Sequence, residues 1–360
     1  MKTFYCDNCG ALVFFENVRC LKCDHALGFL PDGLDLSALE SDADDSFRAL
    51  SASAKKQRYR VCQNGQAHQV CNWLVGDDDE NPFCSACRLN QTIPDLNVEG
   101  NLARWFRMEQ AKRRLLYTVM QLGLPIEGDA TQNRPPLRFN FLADSTAGTQ
   151  VLTGHSNGLI TLNIAEADDD ERERRRVSFR EPYRTLLGHF RHESGHYYWD
   201  RLVANSSSLV RFRGMFGDER QDYSAALQSY YQQGPAADWS ARMVSAYASA
   251  HPWEDWAETW AHYLHIADTI ETAAGFGIKL APKHPAAATM KANPEMAIAS
   301  PAFERILQNW LPLTHALNSL NRGMGLPDLY PFVLSQPAIE KLRFVHDVVH
   351  GAGAGNGARE

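Results

Sequence analysis

The distribution of cysteine constrains this chain more than any other feature. All eight cysteines lie between Cys6 and Cys87, and the long remainder has none. Cys6 and Cys9 form one C-x-x-C pair, and Cys20 and Cys23 form a second. Each pair puts two thiolates on one side of a tight backbone knuckle, and two facing knuckles make the tetrahedral four-sulfur site that zinc accepts. The residues between the pairs read as short strands, so the unit is expected to be a zinc ribbon. Cys62, Cys71, Cys84 and Cys87 form a second, looser set that can close another tetrahedron, with His68 able to replace one of its first two cysteines. Four thiolates leave zinc no open position, so both sites are expected to be structural. Modules this small lack a core of their own, and zinc would supply part of their folding free energy.

The rest of the chain has globular character, with 44% apolar and 22% charged residues and a formal net charge of −7. That balance exerts no general attraction on nucleic acid or anionic membrane. No segment approaches the roughly 20 apolar residues that span a bilayer, and residues 1–10 lack the apolar run of a signal peptide. With clustered cysteines that suit a reducing compartment, a cytoplasmic location is expected. Residues 35–54 are acidic and rich in serine and alanine, which reads as a linker. The expected organisation is a zinc ribbon at 1–34, a linker at 35–58, a second cysteine module at 59–95, a large domain at 96–350 and a flexible tail at 351–360.

The large domain opens with a helix over 102–124. Leu102, Trp105, Phe106, Leu115, Leu116, Val119 and Met120 recur at helical spacing. Residues 137–144 alternate like a strand, and 149–168 read as two strands around a Ser-Asn-Gly turn. The mixed charges of 168–180 read as solvated surface. A helix is expected over 181–203, with Pro182 in its first turn. The fold class is therefore α+β: cysteine modules followed by a mostly helical domain with a small antiparallel or mixed sheet.

That last helix carries His192, Glu193 and His196 as H-E-x-x-H. Histidines four apart project from one helical face and can reach one ion, while Glu193 stands beside it as a base for water. A catalytic zinc needs one more protein ligand. Residues 197–203 offer no histidine, which excludes metzincin spacing. The next candidates begin a helix opened by Pro252, whose apolar stripe is Trp253, Trp256, Trp260 and Leu264. Glu254 is favoured as the ligand, with Asp255 and His251 as competitors. Glu258 lies one turn on, where it could orient a ligand histidine. Tyr247 could donate to a developing oxyanion, and Asp200 is a further supporting candidate one turn past His196.

Taken together, residues 6–23, 71–96, 111–125, 158–173, 191–202, 216–227, 253–266 and 325–334 resemble the bacterial zinc-binding metallopeptidase family that carries an N-terminal zinc-ribbon region. The resemblance implies a zincin-like domain, a hydrolytic function and a peptide or protein substrate. Residues 247–260 are also similar, more distantly, to the matching segment of anthrax lethal factor-like gluzincins. That similarity implies Glu254 as ligand, Glu258 as its support and Tyr247 as oxyanion donor. The expected cofactors are one catalytic and two structural zinc ions. The expected reaction is attack by a zinc-activated water, with Glu193 as general base. Residues 158–168 are expected to offer a strand edge to an extended peptide. The alternative is an inactive zincin-like scaffold, or a zinc-ribbon protein that recognises a protein or nucleic-acid partner; the net charge counts against nucleic acid.

Overall fold

The computed structural model describes residues 1–42, 46–54, 58–132, 134–144, 151–178, 185–298 and 302–356. It forms two compact units, one from residues 3–121 and 126–171, the other from 1–2, 122–125 and 172–360.

The first unit begins with a hairpin of β1 (Phe4–Tyr5) and β2 (Leu12–Val13). Strands β3 (Ala26–Leu30), β4 (Asp35–Ser41), β5 (Phe47–Ala49), β6 (Arg58–Val61) and β7 (Leu74–Gly76) follow as one antiparallel meander, with the short helix α1 (Gln63–His68) before β7. The Phe29 amide donates to the Asn72 carbonyl at 2.8 Å, which brings the first strand of the meander back to its last. Residues 35–54 are thus not a linker. They supply β4 and β5, with Leu36, Ala38 and Leu39 buried. Few large apolar residues are needed there, because Leu39 packs with Leu30, Tyr59 and Leu74 from neighbouring strands. The polar residues are satisfied locally. The Ser51 amide donates to the Ser37 hydroxyl at 2.8 Å, and the Ser51 hydroxyl donates to Asp35. The two cysteine sets therefore belong to one continuous sheet module.

The same unit holds β8 (Asn90–Thr92), α2 (Asn101–Gln121), β9 (Arg138–Leu142), β10 (Gly154–Ser156), β11 (Leu159–Asn163) and the start of α3 (Asp169–Ser178), whose residues from 172 on belong to the other unit. The sheet is mixed, in the order β10-β11-β9-β8. Asn157 and Gly158 turn the hairpin with φ of 48° and 82°, the left-handed pair that a two-residue loop requires. β11 lies between β10 and β9, so it has no free edge, and the expected strand addition to residues 158–168 is excluded. The charge run at 168–180 is helical as far as Ser178, with Asp169, Asp170 and Glu171 in its first turn.

Helix α2 is more than an amphipathic core helix. Trp105, Leu115, Leu116 and Val119 are buried as expected, whereas Leu102 and Phe106 are exposed. Between them Glu109 and Lys112 are buried as an ion pair at 2.9 Å, bonded to Asn90 of β8. Arg113 donates to the Val70 carbonyl at 2.6 Å, and Tyr117 joins Phe4, Phe15 and Phe29 in an aromatic cluster. These contacts place α2 in the same unit as the cysteine modules, although a boundary near residue 96 was expected.

Among the described residues the second unit is helical: α4 (Leu186–Leu202), α5 (Leu209–Phe216), α6 (Tyr223–Gln233), α7 (Trp239–Arg242), α8 (Pro252–Gly275), α9 (Pro294–Ile298), α10 (Phe303–Gly323) and α11 (Gln336–Asn356). α4 starts at Thr185, whose hydroxyl accepts from the Gly188 amide at 3.0 Å; the expected role of Pro182 lies outside the described residues. α11 continues to Asn356, so residues 351–356 are helix rather than tail. The core joins Trp256 and Trp260 of α8 to Tyr198 of α4, Phe212 and Phe216 of α5, and Phe344 of α11.

Close approach of α4 to α8 depends on two residues inside the H-E-x-x-H motif. A Cβ on Gly195 would lie 2.9 Å from the Ala257 Cα, so only glycine fits. The Trp256 indole donates to the Gly195 carbonyl at 2.8 Å, and the Trp260 indole donates to the Ser194 hydroxyl at 3.1 Å.

Candidate metal centre

The clamp between α4 and α8 brings three buried side chains together. His192, His196 and Glu254 each present a ligand atom, and these atoms lie within 4.8 Å of one another. His192 Nε2 is 3.0 Å from Glu254 Oε2, and His196 Nε2 is 3.4 Å from Glu254 Oε1. His192 Nδ1 is 2.7 Å from Glu258 Oε1. An ionised carboxylate can only accept, so Nδ1 donates its proton to Glu258, and Nε2 is the ring atom turned to Glu254 that would bind a metal on giving up its own proton. The Ser245 hydroxyl in turn donates to Glu258 Oε2 at 2.6 Å.

The rotation of α8 separates the candidates for the third position. Asp255 faces α11, where it pairs with Lys341. His251 caps the helix, accepting from the Trp253 amide at 3.1 Å. Glu254 alone of the three faces the histidines. Its Oε1 accepts from the Tyr223 hydroxyl at 2.7 Å, whereas its buried Oε2 accepts no hydrogen bond. A buried carboxylate oxygen left so is costly, and a cation between it and two imidazoles would satisfy it. The donor set therefore fits zinc.

Electrostatics support a charged, buried centre. Burial opposes ionisation of Glu254, but the two histidines and Tyr223 outweigh it and hold the carboxyl down at about 2. Burial likewise opposes protonation of His192, yet Glu254 and Glu258 together hold its pKa well above the usual value. Burial, then the charges of Glu254 and Glu193, raises the Tyr223 pKa and keeps its hydroxyl a donor. Glu193 is buried on the same helix. Farther along α8, burial pushes His262 down to about 4, partly countered by Glu258, and its Nδ1 meets the Tyr330 hydroxyl.

The remaining expected residues are spread more widely. The Tyr247 ring lies 5.9 Å from that of His192 and packs edge-on against Tyr230. Trp253 is not core like Trp256, since its ring lies against His196 at 4.1 Å. Asp200 is exposed near the end of α4. Sequence reasoning assigned no part to Tyr223 or Ser245. Neither has a spacing signal, since each comes from a separate segment.

The cysteines form two separate clusters. Cys6, Cys9, Cys20 and Cys23 converge in one, and Cys62, Cys71, Cys84 and Cys87 in the other. Sulfur separations are 3.6 Å for Cys6–Cys23, 3.7 Å for Cys9–Cys20 and 3.6 Å for Cys71–Cys84. A tetrahedron with zinc–sulfur bonds of about 2.3 Å has edges of about 3.8 Å, so both clusters fit a four-thiolate zinc site. His68 packs edge-on against Trp105 instead. Arg113 is buried, and Cys71, then Glu109, then Cys87 and Cys84 favour its charge against burial.

Two imidazoles from one helix and a carboxylate from a second make one candidate metal centre, and the two four-cysteine clusters make two more. The comparisons agree. The model of a zinc-ribbon domain matches residues 3–98, and that of a "putative zinc-binding metallo-peptidase" matches residues 101–348. The chain belongs to this metallopeptidase family, which makes it a zinc peptidase at the family level. An uncharacterized protein of Mycobacterium bovis and counterparts in two strains of Mycobacterium tuberculosis are each 47% identical over 351 residues, covering 97% of this chain and 95% of theirs. No solved structure matches the chain. Among the described residues no helix is long and apolar enough to cross a membrane.

Proposed function

We propose that the chain is a zinc-dependent peptidase of the H-E-x-x-H gluzincin type, with one catalytic and two structural zinc ions. His192, His196 and Glu254 hold the catalytic ion, and the eight cysteines hold the others. The observation that carries this reading is the buried Glu254 carboxylate set against two imidazoles, Oε2 at 3.0 Å from His192 Nε2 and Oε1 at 3.4 Å from His196 Nε2, with His192 oriented by Glu258.

Zinc in this position supplies Lewis acidity, which makes water a nucleophile near neutral pH and polarises a carbonyl. Glu193 takes the proton from the attacking water at its carboxylate and delivers it to the departing amine. Tyr247 donates to the carbonyl oxygen as negative charge develops there. Glu258 holds the His192 tautomer through Nδ1. Asp200, exposed at the helix end, is assigned no part. A reducing cytoplasm suits the eight thiolates.

The test is metal content per chain, for the wild type and for His192→Ala/His196→Ala, followed by peptide-library cleavage. Three zinc ions falling to two, with cleavage lost in Glu193→Gln while its zinc is retained, supports the assignment. Two ions in both proteins, or an active Glu193→Gln enzyme, refutes it. Two ions in both proteins puts the inactive-scaffold alternative ahead, as does a wild type that binds the third ion and cleaves nothing.

A further inference from the structure

Glu254 can offer zinc either one oxygen or two, and the choice matters. Its two oxygens lie on the side of both imidazoles, Oε2 at 3.0 Å from His192 and Oε1 at 3.4 Å from His196. A carboxylate that bound through both would take two coordination positions and crowd the one that water needs. Oε1 is the oxygen that accepts from a hydroxyl, that of Tyr223 at 2.7 Å. Oε2 accepts no hydrogen bond.

The phenol that makes this contact is itself held. Tyr223 is the first residue of α6, whose start is fixed by Asp222 accepting from the Ala225 amide at 3.0 Å. Its ring packs edge-on against His251 at 5.2 Å and against Trp253 at 5.9 Å. These are the cap and second residue of α8, immediately before Glu254. The hydroxyl is therefore tied to the same turn that carries the carboxylate. The ring also remains 37% exposed, so Tyr223 stands at the solvent side of the centre.

We infer that Tyr223 is a positioning residue which holds Glu254 to one-oxygen coordination, so that the metal keeps an open fourth position. The inference rests on the zinc-centre reading above. Loss of the hydroxyl leaves Oε1 without its donor. The carboxylate then turns both oxygens to the metal, raising the coordination number and closing the position needed for water.

The experiment uses the full-length protein with the cysteine sites kept in zinc and cobalt(II) added to the histidine site. Visible difference spectra are taken against His192→Ala/His196→Ala treated identically. Four-coordinate cobalt absorbs more strongly than five-coordinate cobalt, so the spectrum reports geometry independently of turnover. The wild type is expected to show the intense four-coordinate band, and Tyr223→Phe a band weaker by about twofold or more. Zinc affinity in Tyr223→Phe is expected to fall by about tenfold. Tyr247→Phe, which leaves the Tyr223 bond in place, should retain the wild-type spectrum. A thermal melt of each metal-free variant checks that the fold is intact. A wild-type spectrum in Tyr223→Phe overturns the inference and leaves the zinc centre standing. Equal loss of the band in both tyrosine variants also overturns it. A wild type with no band above the double variant overturns the zinc centre and the inference with it.

Discussion

Glu254 and Glu258 lie one turn apart on α8, yet their surroundings assign them different parts. Glu254 sets one oxygen against each imidazole, Oε2 toward His192 and Oε1 toward His196, while both oxygens of Glu258 accept hydrogen bonds, from His192 and Ser245. Glu258→Gln replaces an acceptor-only group with one that can also donate, so the His192 tautomer is no longer fixed. Zinc affinity should fall by about 10- to 100-fold, read by competition with a chromophoric chelator. His262 leads to a pH prediction. Its pKa of about 4 lies below the ordinary 6.5, so the unfolded chain binds this proton first. Stability from this group is complete above pH 6.5 and is lost as pH falls toward 4, by up to about 3 kcal/mol. In His262→Gln the slope of denaturation midpoint against pH over that window should flatten; an unchanged slope would contradict the account.

At the scale of elements, the centre depends on how closely α4 and α8 approach. The added methyl of Gly195→Ala meets the Ala257 backbone at 2.9 Å, which no rotamer can relieve. The helices must part, at a cost of about 1–3 kcal/mol, and Glu254 retreats from the histidines. A lower melting temperature together with weaker zinc binding is expected. A lower melting temperature with unchanged zinc affinity would show that the spacing does not set the centre. The two histidines were legible in the sequence because a four-residue spacing puts them on one face wherever the helix lies. The sequence favoured Glu254 over His251 and Asp255 without fixing it, because the choice depends on the rotation of α8, set by Trp256 and Trp260 against α4. β11 shows the same limit, since its alternation marks a strand without saying that β9 and β10 cover both edges.

At the scale of the whole molecule, the compact units and the family segments divide the chain differently: the matched segments meet between residues 98 and 101, near the boundary expected at 96, whereas packing groups α2 with the cysteine modules. Residues 35–54 look like a linker but lie within a sheet, and α2 belongs with the cysteine modules. The buried pair of Glu109 and Lys112, bonded to Asn90, ties α2 to β8. Lys112→Met alone leaves Glu109 charged and buried, and should cost about 3–5 kcal/mol. The double change Glu109→Leu/Lys112→Met should cost much less. Chemical denaturation of the three proteins separates these cases, and equal losses would count against the pair. What the sequence determined by itself was local chemistry: two sets of four thiolates, the H-E-x-x-H spacing, the helices at α2, α4 and α8 and the strands β9 to β11. Such signals act within a knuckle, a turn or one period of a helix. Tertiary structure alone decided that Glu254 faces the histidines, that Tyr223 reaches it from α6 and that α2 joins the first unit. Each of these depends on the rotation and packing of one element against another, and spacing along the chain does not record it.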